Sequence, residues 1–348
     1  MIRHNRRAVG MLVVAVFAAI CGLNVCTVEA DDDEKASPKQ TAEALMRQCQ
    51  GSEGERMPPL AGRDDVLAAA WSIYPQQPVR VRRHFVMYIP VFGKDPAKSP
   101  GWPWVTSLAA IKALVDVFVT DKDAMCRSMA AQSLVWGVPD SMVRIHAKEL
   151  LDAVRRRVGT APSGTDDAMM LLGKTGSDAA RRMLLAWGCA KGVKGDRSRL
   201  VRNLALAKLG DTTRELVFIR AFERACDEGK QSRREDVYKA VRLAKKLAYI
   251  GQPGSVMALA RQFRNPLYYH AGGSDYRHVM SVRYGIVNAL GLIWPDEPTF
   301  AFPYDKSAGG EKAYVKVEKW LETYTGVKWQ VPRPAFNEEG ATPEQLCW

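Results

Sequence analysis

The sequence predicts an all-α chain: a right-handed α-solenoid of about five helical hairpins, behind a short irregular N-terminal extension that carries an edge-strand candidate. Three observations predict it. Leu204 to Ile219 (LALAKLGDTTRELVFI) reads as the end of one helix, a tight Gly210-Asp211 turn and the start of an antiparallel second helix. Versions of that turn recur: Leu134 to Asp140, Leu172 to Asp178, Leu206 to Asp211, Leu247 to Gln252 and Leu290 to Asp296. Gly176 to Gly210 is 34 residues, Gly210 to Gly251 is 41, and Gly251 to Trp294, which stands in the glycine's place, is 43. Finally, apolar residues recur three and four apart through nearly every segment from Trp104 onward.

The physics of the repeat is simple. Glycine adopts the left-handed conformation that ends a helix, and the Asp, Ser or Pro that follows starts the next one. One helical pair cannot bury its apolar stripe alone, so neighbouring pairs stack. With 348 residues, 47% of them hydrophobic and 25% charged, the chain has enough apolar material for such a core.

Residues 1–30 read as a secretory signal peptide. Met1 to Arg7 is basic, Gly10 to Leu23 is apolar, and Val28-Glu29-Ala30 ends on a small residue ahead of the acidic run Asp31 to Glu34. The apolar stretch is shorter than the ~20 residues of a membrane span, so a cut after Ala30 is expected over an uncleaved anchor. Arg6-Arg7 hints at twin-arginine export, while Ile20 and Val25 ahead of Cys21 and Cys26 argue against a lipoprotein. The expected location is secreted or periplasmic, with membrane contact only if the N-terminal segment stays uncleaved.

Residues 31–63 form an acidic leader expected to be poorly ordered, with one short helix over Thr41 to Cys49. Residues 64–103 hold a helix opening at Asp64, the edge-strand candidate Val79 to Phe92 and a Gly/Pro-rich linker. The strand reading rests on Val, Ile, Phe and Tyr in partial alternation, with Pro90 confining it to an edge; a helix with Arg and His on one face is its rival. The solenoid spans 104–295, with helices over 104–119, 123–136, 141–158, 166–174, 178–188, 197–209, 212–227, 233–250, 254–263 and 276–292. Residues 296–348 add a capping helix over 310–324 and a tail.

These turns, with their Ala-x-Leu-Gly-Asp flavour, resemble HEAT repeats, and the resemblance covers roughly residues 104–295. Val317 to Trp329 (VEKWLETYTGVKW) also looks like the closing segment of secreted bacterial HEAT-repeat proteins. The resemblance implies an armadillo-like helical fold and little about activity. HEAT-repeat hydroxylases bind iron through adjacent His-Glu pairs, and this chain has none.

No HExxH, Gly-Lys-Ser phosphate loop, GxSxG or dinucleotide fingerprint occurs, so no catalytic residue is assigned. Gly173-Lys174-Thr175 lacks the upstream glycine and strand of a phosphate loop and reads as a helix turn. Beyond Ala30 lie Cys49, Cys126, Cys189, Cys226 and Cys347, an odd number at spacings that match no metal motif. Cys126, Cys189 and Cys226 read as buried apolar residues, and a bridge between Cys49 and Cys347 stays open.

Binding candidates come from two patterns. The irregular stretch Asn265 to His278 gathers Tyr268, Tyr269, His270, Asp275, Tyr276, Arg277 and His278 around Gly272-Gly273. Such groups on a loop over a rigid scaffold suit a binding site. His270, His278 and Asp275 are also donor types that suit zinc, yet neither a metal nor a cofactor is expected. The second pattern is basic. The chain holds 50 Lys and Arg against 38 Asp and Glu, and removing residues 1–30 leaves it strongly basic. Arg155, Arg156 and Arg202 stand out among clusters that stacking could merge into one concave face. The expected role is a non-catalytic scaffold or binding module for a protein or an anionic polymer, glycan or lipid head group. Export makes nucleic acid an improbable partner. The competing expectation is an extracytoplasmic lyase or hydrolase acting on an anionic polymer, with Tyr269, His270, Tyr276 and Arg277 in acid, base and charge-neutralising roles.

Overall fold

At the Gly210-Asp211 turn the Gly210 N–H donates to the Ala207 carbonyl at 3.0 Å and the Asp211 N–H to the Leu206 carbonyl at 3.1 Å. This is a Schellman ending, and it requires the left-handed backbone that Gly210 adopts at φ 90°. Asp211 Oδ1 then accepts the Arg214 N–H at 3.0 Å and caps the next helix. Gly176 (φ 67°) and Gly251 (φ 63°) share the conformation at their own turns. Gly137 instead stays inside its helix, and Pro139 and Asp140 make that turn.

The computed structural model describes residues 36–51, 60–93, 105–157, 165–187, 196–229, 234–263, 274–294, 297–300 and 309–326. Among them there is no β-strand. The N-terminal helices are α1 (Pro38–Cys49), α2 (Asp64–Ile73), α3 (Val79–Phe92), α4 (Leu108–Thr120) and α5 (Ala124–Gly137). Next come α6 (Asp140–Ile145), α7 (Ala147–Arg157), α8 (Thr165–Thr175), α9 (Asp178–Trp187) and α10 (Asp196–Lys208). The remainder are α11 (Thr212–Gly229), α12 (Arg234–Ile250), α13 (Pro253–Phe263), α14 (Ser274–Ile293) and α15 (Gly309–Thr325). Short 3-10 turns cover Tyr74–Gln76 and Pro298–Phe300. No helix among the described residues is long and apolar enough to cross a membrane.

Three expectations change. Val79–Phe92 is a helix, not an edge strand: its buried residues Val81, Phe85, Val86, Ile89 and Phe92 fall on one helical stripe. Its arginines are held by long-range partners, Arg82 by Asp121 at 2.7 Å and Arg83 by Asp123 at 2.7 Å. Pro90 forfeits one intrahelical bond, and the helix ends at Phe92. The span 141–158 is two helices, because His146 leaves helical geometry at φ −98°, ψ 13° and its N–H turns back to the Val143 carbonyl. Finally, α14 begins at Ser274, two residues ahead of the expected 276, so Asp275 joins Tyr276, Arg277 and His278 on the helix.

Within residues 31–63, α1 runs from Pro38 rather than Thr41. A Ser37–Gln40 capping box opens it, and Leu45, Met46 and Cys49 are buried where it packs on α2 and α3. The Cys49 thiol is unbridged among the described residues, and Cys347, with Cys189, lies outside them.

Packing runs from each helix to near neighbours in sequence. Helices α5, α8, α10, α12 and α14 pack in succession, each on the next. Helices α4, α7, α9, α11 and α13 pack against members of that row. One continuous cluster of buried apolar side chains runs through all of it, from Ala42 on α1 to Leu321 on α15. Polar ties cross between hairpins as well. Buried Glu215 on α11 accepts from Ser255 N at 2.7 Å and Oγ at 2.9 Å, and so caps α13 from outside.

Candidate functional site

The row α5, α8, α10, α12 and α14 has a consequence at its turn end. At each of the five aligned turns one residue stands two places after the leucine: Trp136, Lys174, Lys208, Tyr249 and Leu292. All five line a single cleft of about 540 Å³. Asp140, Ser141 and Met142 from the start of α6, with Ile293 and Thr106, complete most of its wall.

Lys174 is the buried member, with its side chain 3% exposed. Its Nζ donates to the carbonyls of Leu134 at 3.2 Å, Val135 at 2.9 Å and Val138. These are groups at the end of α5 that lack intrahelical partners, and a cation there opposes the negative end of the helix dipole. Lys174 also lies 3.2 Å from Asp140 Oδ1. Burial pulls its ammonium down to about 8, against the opposing pull of Asp140, and Lys208 adds to the lowering.

Asp140 carries two lysines. Lys208 Nζ pairs with the other carboxylate oxygen. Burial alone would raise the Asp140 carboxyl, but Lys174 and Lys208 together hold it below the usual carboxylate range. Three charged groups therefore meet in a half-enclosed space, one anion against two cations.

The aromatic wall is fixed by packing. Tyr249 donates its hydroxyl to the Met170 carbonyl on α8, and its ring centroid lies 5.8 Å from that of Trp136. Burial raises the Tyr249 phenol well above its ordinary value, so it stays neutral. Room for that hydroxyl exists only because residue 173 is glycine: a Cβ there would overlap Tyr249 Oη and lie 3.1 Å from Ala205 Cα. Two cations sit over the rings, Lys245 Nζ 4.4 Å from the Trp136 centroid and Lys208 Nζ 5.7 Å from that of Tyr249.

Of the residues singled out from the sequence, Arg155, Arg156 and Arg202 are not among those that line the cleft. Arg155 and Arg156 are exposed on α7, where Arg155 pairs with Asp152 at 3.2 Å. Arg202 is half-buried on α10, with its Nε buried and unbonded among the described residues. Helix α7 packs on α4 and α8, whereas α10 packs on α8, α9, α11 and α12, so the two arginine clusters are carried by different helices of the array. Tyr268, Tyr269 and His270 lie outside the described residues. Asp275, Tyr276, Arg277 and His278 occupy the first turns of α14 by backbone, and their side chains are also outside. Among the described residues no group of His, Cys, Asp and Glu is placed to hold a metal ion.

One by one, the members of the cleft look unrelated in the sequence. The available signal was register: aligning the five turns puts Trp136, Lys174, Lys208, Tyr249 and Leu292 in one column. The chain matches no protein-family model and no curated protein.

Proposed function

We propose that this chain is a non-catalytic binding module, a HEAT-like α-solenoid that works outside the cytoplasm and receives a partner at the turn end of its repeats. One observation carries the reading. Five positions spaced by the repeat come together in one cleft with cationic and aromatic walls. Equivalent positions stack in this way when hairpins of similar build succeed one another. The left-handed glycines at Gly176, Gly210 and Gly251 and the succession of α5, α8, α10, α12 and α14 support the repeat. Export rests on the basic, apolar and small-residue order of residues 1–30. The basic balance of the chain favours an anionic polymer or an acidic protein surface as partner.

The enzymatic alternative, an extracytoplasmic lyase or hydrolase, draws on one feature. A lysine lowered to about 8 beside a carboxylate is the sort of group that active sites use. Lys174 is nevertheless engaged by three carbonyls and Asp140, which leaves no free donor or lone pair for chemistry on a substrate.

The test is a pull-down from the envelope fraction of the producing cell at low and high salt, with elution from a dextran-sulfate column as a second arm. Salt-sensitive retention in either arm is expected. Retention in neither arm removes the basis for the reading.

A further inference from the structure

We infer that the cleft binds the carboxylate of a monoanionic ligand that carries an apolar or aromatic body. This inference rests on the binding-module reading and names the chemistry of its ligand.

Charge comes first. Asp140 is answered twice, by Lys174 and by Lys208. Lys174 turns its ammonium to the end of α5, so Lys208 is the cation left for a ligand. An ammonium has three donors. Lys208 gives one to Asp140, while its side chain is 12% exposed and lines the cleft. A carboxylate placed there takes charge-assisted hydrogen bonds from a partly dehydrated cation, where they are shorter and stronger than neutral ones. One cation in excess matches one negative charge.

Shape then selects the rest of the ligand. A space of about 540 Å³ is far larger than a bare carboxylate needs and lies within the range of small-molecule sites. Trp136, Met142, Leu292 and Ile293 offer apolar surface beside the charge. A ligand with a carboxylate at one end and a ring or branched alkyl group next to it satisfies both walls. A free amphipathic acid and the C-terminus of a peptide share this chemistry.

Isothermal titration of the full chain decides it, with N-acetylphenylalanine, its neutral amide and the peptide acetyl-Gly-Gly-Phe as probes. The acid binds at least about tenfold tighter than the amide, as a charge-assisted bond implies. Lys208→Met abolishes that difference. Asp140→Asn, which removes the competing anion, tightens the acid several-fold relative to the amide. The two variants move the acid's affinity in opposite directions, whereas a folding defect would weaken binding in both. Tripeptide binding tenfold tighter than the single residue assigns the site to peptide ends, and equal affinity assigns it to free acids. Equal binding of acid and amide, no binding of either, or a parallel loss in both variants overturns the inference. If salt-sensitive capture of a partner persists in that case, the binding module stands and only the cleft assignment falls.

Discussion

Gly173→Ala tests the close approach that builds the cleft. In a helix, alanine is favoured over glycine by about 1 kcal/mol, so propensity alone predicts a more stable protein. The structure predicts the reverse. The new Cβ overlaps Tyr249 Oη and sits 3.1 Å and 3.2 Å from the Cα and carbonyl oxygen of Ala205. The Ala205 atoms are backbone and cannot swing aside, and Tyr249 is a rigid ring packed on Trp136. Helices α8 and α10 must separate, or Tyr249 must leave the Met170 carbonyl. Overpacking costs about 1–3 kcal/mol, and an orphaned buried hydrogen-bonding group about 1–3 kcal/mol. Where both costs are incurred, a net loss of about 1–5 kcal/mol remains after the propensity gain. Tyr249→Phe alone loses about 1 kcal/mol for one hydrogen bond. It also removes the oxygen that clashes, so the double variant is less destabilised than the sum of the singles, by about 1–2 kcal/mol of coupling. Urea unfolding followed by circular dichroism reads all four proteins. A Gly173→Ala midpoint at or above that of the parent, or strict additivity in the cycle, contradicts the close approach of Gly173 to Tyr249.

Other predictions follow from the same contacts. Lys174→Met strips the cation from the Leu134, Val135 and Val138 carbonyls and is expected to cost about 3–5 kcal/mol in urea unfolding, the range for losing one member of a buried charged network; a loss under about 1 kcal/mol contradicts the capping role. Asp140 has a lowered folded pKa, so its contribution to stability is present above the ordinary carboxylate value near about 4 and is lost as pH falls through the folded one. Stability of the parent should therefore drop below about pH 4 more steeply than that of Asp140→Asn, and parallel curves from acid titrations of unfolding would count against the pairing. Glu215→Ala removes the cap that Ser255 receives from the neighbouring hairpin and should lower stability by about 1–2 kcal/mol. Amide hydrogen exchange in the first turn of α13 should speed up in that variant, and unchanged exchange there would show that the cap is dispensable.

Most helix positions were legible because a 3.6-residue apolar period and a glycine stop are local signals. The helices expected over 166–174, 212–227 and 254–263 lie within one or two residues of α8, α11 and α13 at each end. Val79–Phe92 was not legible in the same way. Its composition suits a strand, and what holds it as a helix is distant: Arg82 reaches Asp121, Arg83 reaches Asp123, and Phe85 and Ile89 enter the core beside α5. The break at His146 also lacks a Gly or Pro to announce it.

The candidate site divides along the same line. The helical class of the chain from Trp104 onward, the left-handed glycine turns and the spacing that aligns Trp136, Lys174, Lys208, Tyr249 and Leu292 are legible in the residues, because each follows from local backbone geometry. What those aligned positions do depends on which helices adjoin in the folded chain. Gly173-Lys174-Thr175 reads only as a helix turn until its helix is set against the end of α5, where three carbonyls take the Lys174 ammonium. The need for glycine at 173 is set by Tyr249, whose hydroxyl fills the space that a Cβ would take. Charge and volume at a point in space depend on which helices adjoin, and adjacency is the property that a linear pattern does not contain.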